Sequence, residues 1–206
     1  MTLARHRDHR RGASLFFEGD RAHDVLLLCS GQVKVTRVSS DGREVVLDVV
    51  GPGDILGELS AIDGDVRSAT ATTLTATRVA TLSIAEFNAF LERHPGAATA
   101  LLRAIAGRLR GASRRQLEFG TMDALGRVCT RLAEMMDRYG VAEGESVLVT
   151  APISQQELAD WSGLSREAVV KALHVVRALG WATTRRGGFL VLDAAAIRDR
   201  AAPGVF

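Results

Sequence analysis

Cysteine is nearly missing from this 206-residue chain, and the two that occur, Cys29 and Cys129, lie far apart among apolar neighbours. Such spacing offers neither a disulfide framework nor a zinc site, and it suits a reducing compartment. A strong charge of one sign is missing too: 26 basic against 24 acidic residues leave a net charge of +2. No polybasic tail or membrane anchor dominates, so any basic surface must come from placement. No apolar run approaches the ~20 residues of a membrane span, and the opening residues lack the apolar core of an export signal. A cytoplasmic protein with no membrane partner is expected. A catalytic set is also lacking. His6, His9, His23, His94 and His174 are scattered, and no nucleophile pairs with a base, so neither an enzyme nor a bound metal is expected.

What is present is a globular composition, 47% apolar and 24% charged, long enough for one large or two ordinary domains. The most informative stretch is Ile153 to Leu179, ISQQELADWSGLSREAVVKALHVVRAL. It reads as two short helices and a tight turn. Ser154 can cap the first helix while Glu157 returns the hydrogen bond, and Ser165 can cap the second. Gly163 is free to take a positive φ in the turn. Leu158, Ala159, Leu164, Val169, Leu173 and Val176 supply a shared buried face, and Arg166, Glu167, Lys171 and His174 are left pointing outward. This is the helix-turn-helix arrangement, whose second helix presents its N-terminal side chains to the major groove of double-stranded DNA.

Upstream the texture differs. The first eleven residues, MTLARHRDHRR, are basic and without apolar periodicity, which reads as a frayed arm. From Ala13 to about Leu82, β-branched runs alternate with glycine turns: Val25 to Cys29, Gln32 to Val38, Val45 to Val50, Ser68 to Thr77 and Arg78 to Leu82. Val45, Leu47 and Val49 alternate with their neighbours as half-buried strands do. An all-β roll or sandwich is expected.

Within it lies GELSAIDGDVRSAT, Gly57 to Thr70. A Gly-Glu-Leu turn followed by Arg-Ser-Ala can put backbone N–H groups, a guanidinium and a hydroxyl around one anion. Glu58 is odd beside a bare phosphate, but it suits a nucleotide, whose ribose hydroxyl it can accept from while Arg67 takes the phosphate. A Glu58 to Arg67 salt bridge closing a hairpin explains the spacing equally well.

Ser83 opens a short helix through Glu86, Phe87, Phe90 and Leu91, ended by His94-Pro95. A longer helix runs from about Gly96 to Phe119, with Leu102, Ile105, Leu109, Ala112, Gln116 and Phe119 as a heptad seam. That seam can pack on the chain's own β domain or on a second copy, with Arg103, Arg108, Arg110, Arg114 and Arg115 solvated opposite it. Gly120 to Asp123 breaks the pattern, and Asp123 is placed to cap a new helix through Val128, Leu132 and Met135. Gly140 to Ser146 reads as a polar loop. Trp181 to Thr184 and Phe189 to Leu192 make a hairpin whose Arg185 and Arg186 form a basic wing that can clasp phosphates or simply aid solubility.

The β roll, the Gly57-Glu58-Leu59 to Arg67-Ser68-Ala69 cassette, the seam helix and the SREAVVK helix-turn-helix occur in that order. Together they resemble the Crp/Fnr family of transcription regulators, from roughly Arg11 to Leu192. The resemblance implies an α+β fold with an N-terminal cyclic-nucleotide-binding β-roll (residues 1–95, including the arm), a dimerisation helix and hinge (96–122) and a C-terminal winged helix-turn-helix domain (123–206). It implies a homodimer paired through residues 96–119, cyclic AMP or cyclic GMP as allosteric ligand, a TGTGA-like palindrome as target, and RNA polymerase as a further partner. Carried over to these positions, Gly57 and Glu58 meet the ribose, Arg67, Ser68 and the Ala69 amide hold the cyclic phosphate, Arg108 supports the ribose end, and Leu59 belongs to the same ligand-binding set. Where the cyclic AMP receptors have Thr-Ser for the base, this chain has Ala112-Ser113. One hydroxyl is lost, Ser113 keeps the other, and a regulator that senses another small molecule or none remains an open alternative. Ser165, Arg166, Glu167, Lys171, Arg185 and Arg186 are the DNA-contacting set. Arg166 suits a guanine, Glu167 a cytosine amino group, and Lys171 a guanine or phosphate. The N-terminal cysteine set of the family's iron-sulfur branch is absent.

Overall fold

The computed structural model describes residues 4–150, 152–185 and 187–202. The chain divides into two compact units, residues 1–110 and 111–206.

Among the described residues of the first unit are eight strands: β1 (Arg5–His9), β2 (Ser14–Phe16), β3 (Asp24–Ser30), β4 (Val33–Val38), β5 (Glu44–Val50), β6 (Ile55–Leu56), β7 (Thr70–Thr73) and β8 (Thr77–Ser83). They form two antiparallel sheets in the orders β1-β8-β3-β6 and β2-β7-β4-β5. Leu26, Leu28, Leu56 and Val79 from the first sheet meet Val33, Val50 and Ala71 from the second in one buried cluster. Each of the larger side chains there contributes roughly 1.5–3 kcal/mol of hydrophobic stabilisation. The expected roll is present, with one shift of phase. Opposite Val35 and Thr36 of β4 stand Asp48 and Val46 of β5, so Leu47 is the extra residue of a bulge. The alternation read from Val45, Leu47 and Val49 therefore breaks: Val45 is exposed while Val46, Val49 and Val50 are buried.

The N-terminal segment departs from the reading as a frayed arm. Arg5–His9 is a strand in register with Thr77–Thr81 of β8, and Asp8 accepts two hydrogen bonds from Arg78, at 2.8 and 3.0 Å. An edge strand wet on both faces needs no apolar alternation, because its ladder hydrogen bonds hold it, so composition conceals it.

Three helices follow from this unit. α1 (Glu58–Asp63) turns out of Gly57, α2 (Ile84–Arg93) is closed at its start by a reciprocal Ser83–Glu86 capping box, and α3 (Pro95–Thr121) opens on a proline at its first position. Phe87 and Leu101 join Val25 and Ala61 in a second buried cluster that seats α2 and the start of α3 on the roll. The two expected partners for the α3 seam divide its residues. Ile105 packs on the roll, whereas Leu102 and Leu109 stand 66% and 68% exposed. Arg103, Arg110 and Arg114 are solvated as expected, but Arg108 and Arg115 are half-buried.

The second unit holds α4 (Ala124–Tyr139), β9 (Gly140–Glu143), β10 (Ser146–Val149), α5 (Gln155–Ser162), α6 (Arg166–Ala178), β11 (Ala182–Arg185), β12 (Gly188–Val191) and α7 (Ala194–Ala201). Asp123 caps α4 by accepting from the Gly126 amide at 2.8 Å. α4 is the central helix: it packs on α5, α6 and α7, burying Val128, Leu132 and Met135 against an interior that includes Trp161, Val169, Val176 and Ile197. The expected polar loop from Gly140 to Ser146 is instead the β9–β10 hairpin, turning at Gly144 with φ +64°. Its first strand is exposed throughout, which is why no alternation betrays it. The four strands order as β11-β12-β10-β9.

Candidate functional site

The cassette of the first unit is organised on Gly57. Its φ of +81° lies in the left-handed region that an L side chain reaches only with strain, and a Cβ there would stand 1.9 Å from Arg67 Nη1. The bare Gly57 backbone thus lets the guanidinium lie directly against the start of α1. Arg67 is 3% exposed. Its Nη1 donates to the Gly57 carbonyl at 3.2 Å, and its Nη2 donates to both the carbonyl and Oδ1 of Asp24, at 2.8 and 2.6 Å. The Phe16 ring covers the guanidinium, 4.3 Å from Cζ. The Arg67 backbone is pinned as well, its amide donating to Asp20 and its carbonyl accepting from Gly19.

Glu58, 3% exposed, takes a different partner. Its Oε1 accepts from Arg108 Nη1 at 2.5 Å, and Arg108 Nη2 donates to the Ile55 carbonyl at 2.6 Å. The alternative expectation of a Glu58 to Arg67 bridge closing a hairpin is therefore not what forms; each charge is satisfied elsewhere. Beside the Glu58–Arg108 pair lies a cavity of about 230 Å³, walled by Ile55, Ala100, Leu101 and Ala104. Of the other sequence-predicted residues, Leu59 and Ser68 are exposed and Ala69 is buried, all three in the first unit; Ser113 belongs to the second unit, exposed on α3. Asp24 and Phe16 are the members that sequence reasoning missed. Asp24 is 43 positions from Arg67, and only the pairing of β3 and the turn before β7 brings them together.

In the second unit the two helix caps form as expected. The Glu157 amide donates to Ser154 Oγ at 3.1 Å, and the Ser154 amide donates to Glu157 Oε2 at 2.8 Å. Ser165 Oγ accepts from the Ala168 amide at 3.2 Å. Each such cap contributes about 0.5–2 kcal/mol. Gly163 takes φ +62° between them. Leu158, Ala159, Val169 and Val176 are buried, while Arg166, Glu167, Lys171 and His174 are all exposed on α6. Hydrogen bonds from its own backbone amide and from the Ser165 hydroxyl hold the Glu167 carboxyl below its usual pKa, with Arg166 and Lys171 adding to the effect. Glu167 is thus an ionised, acceptor-only group at the first turn of α6, flanked by two cations. Arg185 ends β11 with its Nη2 3.9 Å from Glu143 of β9; Arg186 lies outside the described residues.

Two family models match the chain: "Cyclic nucleotide-binding domain" over residues 6–94 and "Crp-like helix-turn-helix domain" over residues 126–200. The chain is 34% identical over 194 residues to a CRP-like cAMP-activated global transcriptional regulator of Mycobacterium tuberculosis, covering 94% of this chain and 87% of that protein. It is 30% identical over 199 residues to the cyclic AMP receptor protein of Thermus thermophilus, covering 97% and 89%. Among solved structures, FixK2 from Bradyrhizobium japonicum superposes with a TM-score of 0.87 at 25% identity, covering 99% of this chain and all of that one. A CRP-family transcriptional regulator from Thermus thermophilus gives 0.77 at 26% identity, covering 95% and 96%.

Proposed function

The chain belongs to the Crp/Fnr family of transcription regulators, and on that premise we propose that it acts as a homodimer in which a cyclic nucleotide bound in each β roll controls the reading of a TGTGA-like palindrome. That it is a DNA-binding regulator rather than an enzyme follows from the family. One observation supports the finer reading: Arg67 lies against Gly57, the neighbour of Glu58 in the chain, and the two buried charges take other partners rather than each other. A carboxylate and a guanidinium kept apart in this way suit the two ends of one ligand, a ribose hydroxyl and a phosphate.

In this reading Gly57, Glu58 and Arg108 form the ribose end, Arg67, Ser68 and Ala69 the phosphate end, and Leu59 completes the ligand-binding set. Ser113 keeps one hydroxyl of the pair, and in the homodimer its role is toward the partner subunit's ligand. Cyclic AMP is the first ligand to test, since one relative is named as a cAMP-activated regulator and another as a cyclic AMP receptor protein. Residues 1–95 act as the effector domain, 96–122 as dimerisation helix and hinge, and 123–206 as the DNA-binding domain. The uncovered Leu102 and Leu109 are the apolar surface that pairing through residues 96–119 would bury. Ligand binding steadies the paired helices, and the two α6 helices then sit one DNA turn apart. On each half-site Arg166 reads a guanine, Glu167 accepts from a cytosine, and Lys171 takes a guanine or phosphate. Ser165, Arg185 and Arg186 hold the backbone. The dimer works in the cytoplasm and contacts RNA polymerase.

A second reading rests on two particulars. Arg67 is already engaged by Asp24, and Ala112 stands where the cyclic AMP receptors carry a hydroxyl. In that reading the regulator is nucleotide-independent or senses another small molecule.

Affinity for a labelled TGTGA-type palindrome separates the two, measured at one fixed salt concentration with no nucleotide, with cyclic AMP and with cyclic GMP. Tightening by about tenfold or more with one nucleotide, roughly 1.4 kcal/mol of coupling, supports the first reading. Tight binding indifferent to both overturns it in favour of the second.

A further inference from the structure

Arg67 does not wait for an anion; it already holds one. Both of its contacts with Asp24 run through Nη2, to the side-chain Oδ1 and the main-chain carbonyl. Its Nε, fully enclosed, has no partner among the described residues. A guanidinium that met a carboxylate as a permanent structural bridge would engage it with two parallel N–H donors, the geometry that makes such pairs strong. Here the carboxylate is met at one corner, and a buried donor is left over. The partners are also unequal: the Arg67 side chain is 3% exposed and that of Asp24 is 38% exposed. Asp24 can thus return to water at little desolvation cost, whereas Arg67 cannot leave. A carboxylate and a cyclic phosphodiester each carry one negative charge on two oxygens, and both compete for the same donors.

We propose that Asp24 is an internal competitor for the ligand's phosphate. In the free chain its carboxylate occupies Arg67, and a nucleotide binds by exchanging that carboxylate for its own phosphate. The exchange breaks the Nη2 to Oδ1 hydrogen bond, forms hydrogen bonds from Arg67 to the phosphate, and leaves the charge beside the guanidinium unchanged. Asp24 thereby raises the nucleotide concentration at which the regulator responds. This rests on the cassette being a nucleotide site, and it adds a threshold-setting residue to it.

The test is titration of the full-length chain and of Asp24→Asn and Asp24→Ala with cyclic AMP and cyclic GMP by calorimetry, with a thermal melt of each variant to establish that it is folded. Removing the carboxylate is expected to tighten binding of whichever nucleotide binds by tenfold or more in both variants. The ratio of the two affinities should stay unchanged, because Asp24 competes at the phosphate and not at the base. A merely structural bridge predicts the opposite sign, weaker binding in both. Detectable binding by the parent chain with equal or weaker binding by folded variants overturns the role of Asp24 and leaves the cassette standing. Folded parent and variants that all fail to bind either nucleotide overturn the cassette reading itself, and the competitor with it. Should binding appear only when the carboxylate is gone, the proposal holds in its strongest form.

Discussion

Glu118 and Arg131 form an ion pair from which water is excluded on both sides, with 3% and 1% of their surface exposed. Glu118 lies in the last turns of α3 and Arg131 in α4, and the guanidinium sits 5.5 Å from the ring of buried Trp161 of α5. The end of the long helix is thereby tied to the first helix of the helix-turn-helix. Arg127 adds a second tie, donating to the Phe119 carbonyl at 2.8 Å and lying over the Phe119 ring.

Glu118→Gln should therefore cost about 3–5 kcal/mol, since it leaves a buried guanidinium without its main counter-charge. Glu134 also reaches Arg131, at 3.1 Å, but burial already pushes its carboxyl above the ordinary range. Its folded form takes up a proton more readily than its unfolded form, so this group opposes folding at neutral pH and ceases to do so as pH falls below the raised value. Glu134→Gln should cost under about 1 kcal/mol at pH 7. Urea unfolding of the two variants side by side checks the contrast.

Gly57→Ala should abolish nucleotide binding and lower stability by about 1–2 kcal/mol, because a left-handed backbone penalises any Cβ and this Cβ collides with Arg67. Calorimetry and a denaturant midpoint report both effects.

Glu167→Ala should relax discrimination at one base pair by roughly tenfold while leaving affinity for other positions intact. Arg185→Ala should instead weaken all DNA alike and reduce the salt slope by about 1. Because hydrogen bonds hold the Glu167 carboxyl below its usual pKa, it stays charged further into acid than an ordinary carboxyl does. Its contribution is lost only as pH drops past the depressed folded value, so discrimination should be flat from pH 8 to about 5. A panel of single-base site variants at fixed salt measures each of these.

Burial pushes the Cys129 thiol up to about 11, while Cys29 is exposed. At pH 8.5 an alkylating reagent should label one thiol per native chain and two after denaturation, read by mass spectrometry. The folded thiol keeps its proton through a range where the unfolded one ionises, so stability should decline as pH rises between about 9 and 11.

Local signals were legible in the sequence at several helix starts where a side chain answers a neighbouring backbone group. Ser83, Asp123, Ser154 and Ser165 each cap the helix expected of them, and Gly163 takes the positive φ that the turn needs. Several elements escaped. β1 and β9 are wet on both faces and show no period, the bulge at Leu47 reverses an alternation that was otherwise correct, and α7 lies beyond the last motif read. The partners of Arg67 escaped for a different reason. Its basic character and its place beside Gly57 follow from a motif within one short stretch, but the acid it meets is chosen by strand pairing across 43 positions. No local pattern encodes that.

β1 carries a practical consequence. Residues 5–9 have the composition of a dispensable tail, and trimming the chain to its first apolar strand is the obvious economy in making the protein. Doing so would strip β8 of its outer neighbour along Thr77 to Thr81 and bare a row of backbone amides and carbonyls on a well-formed sheet. An edge of that kind recruits strands from other molecules, so the shortened chain would gain a route to aggregation that the charged strand Arg5–His9 now closes.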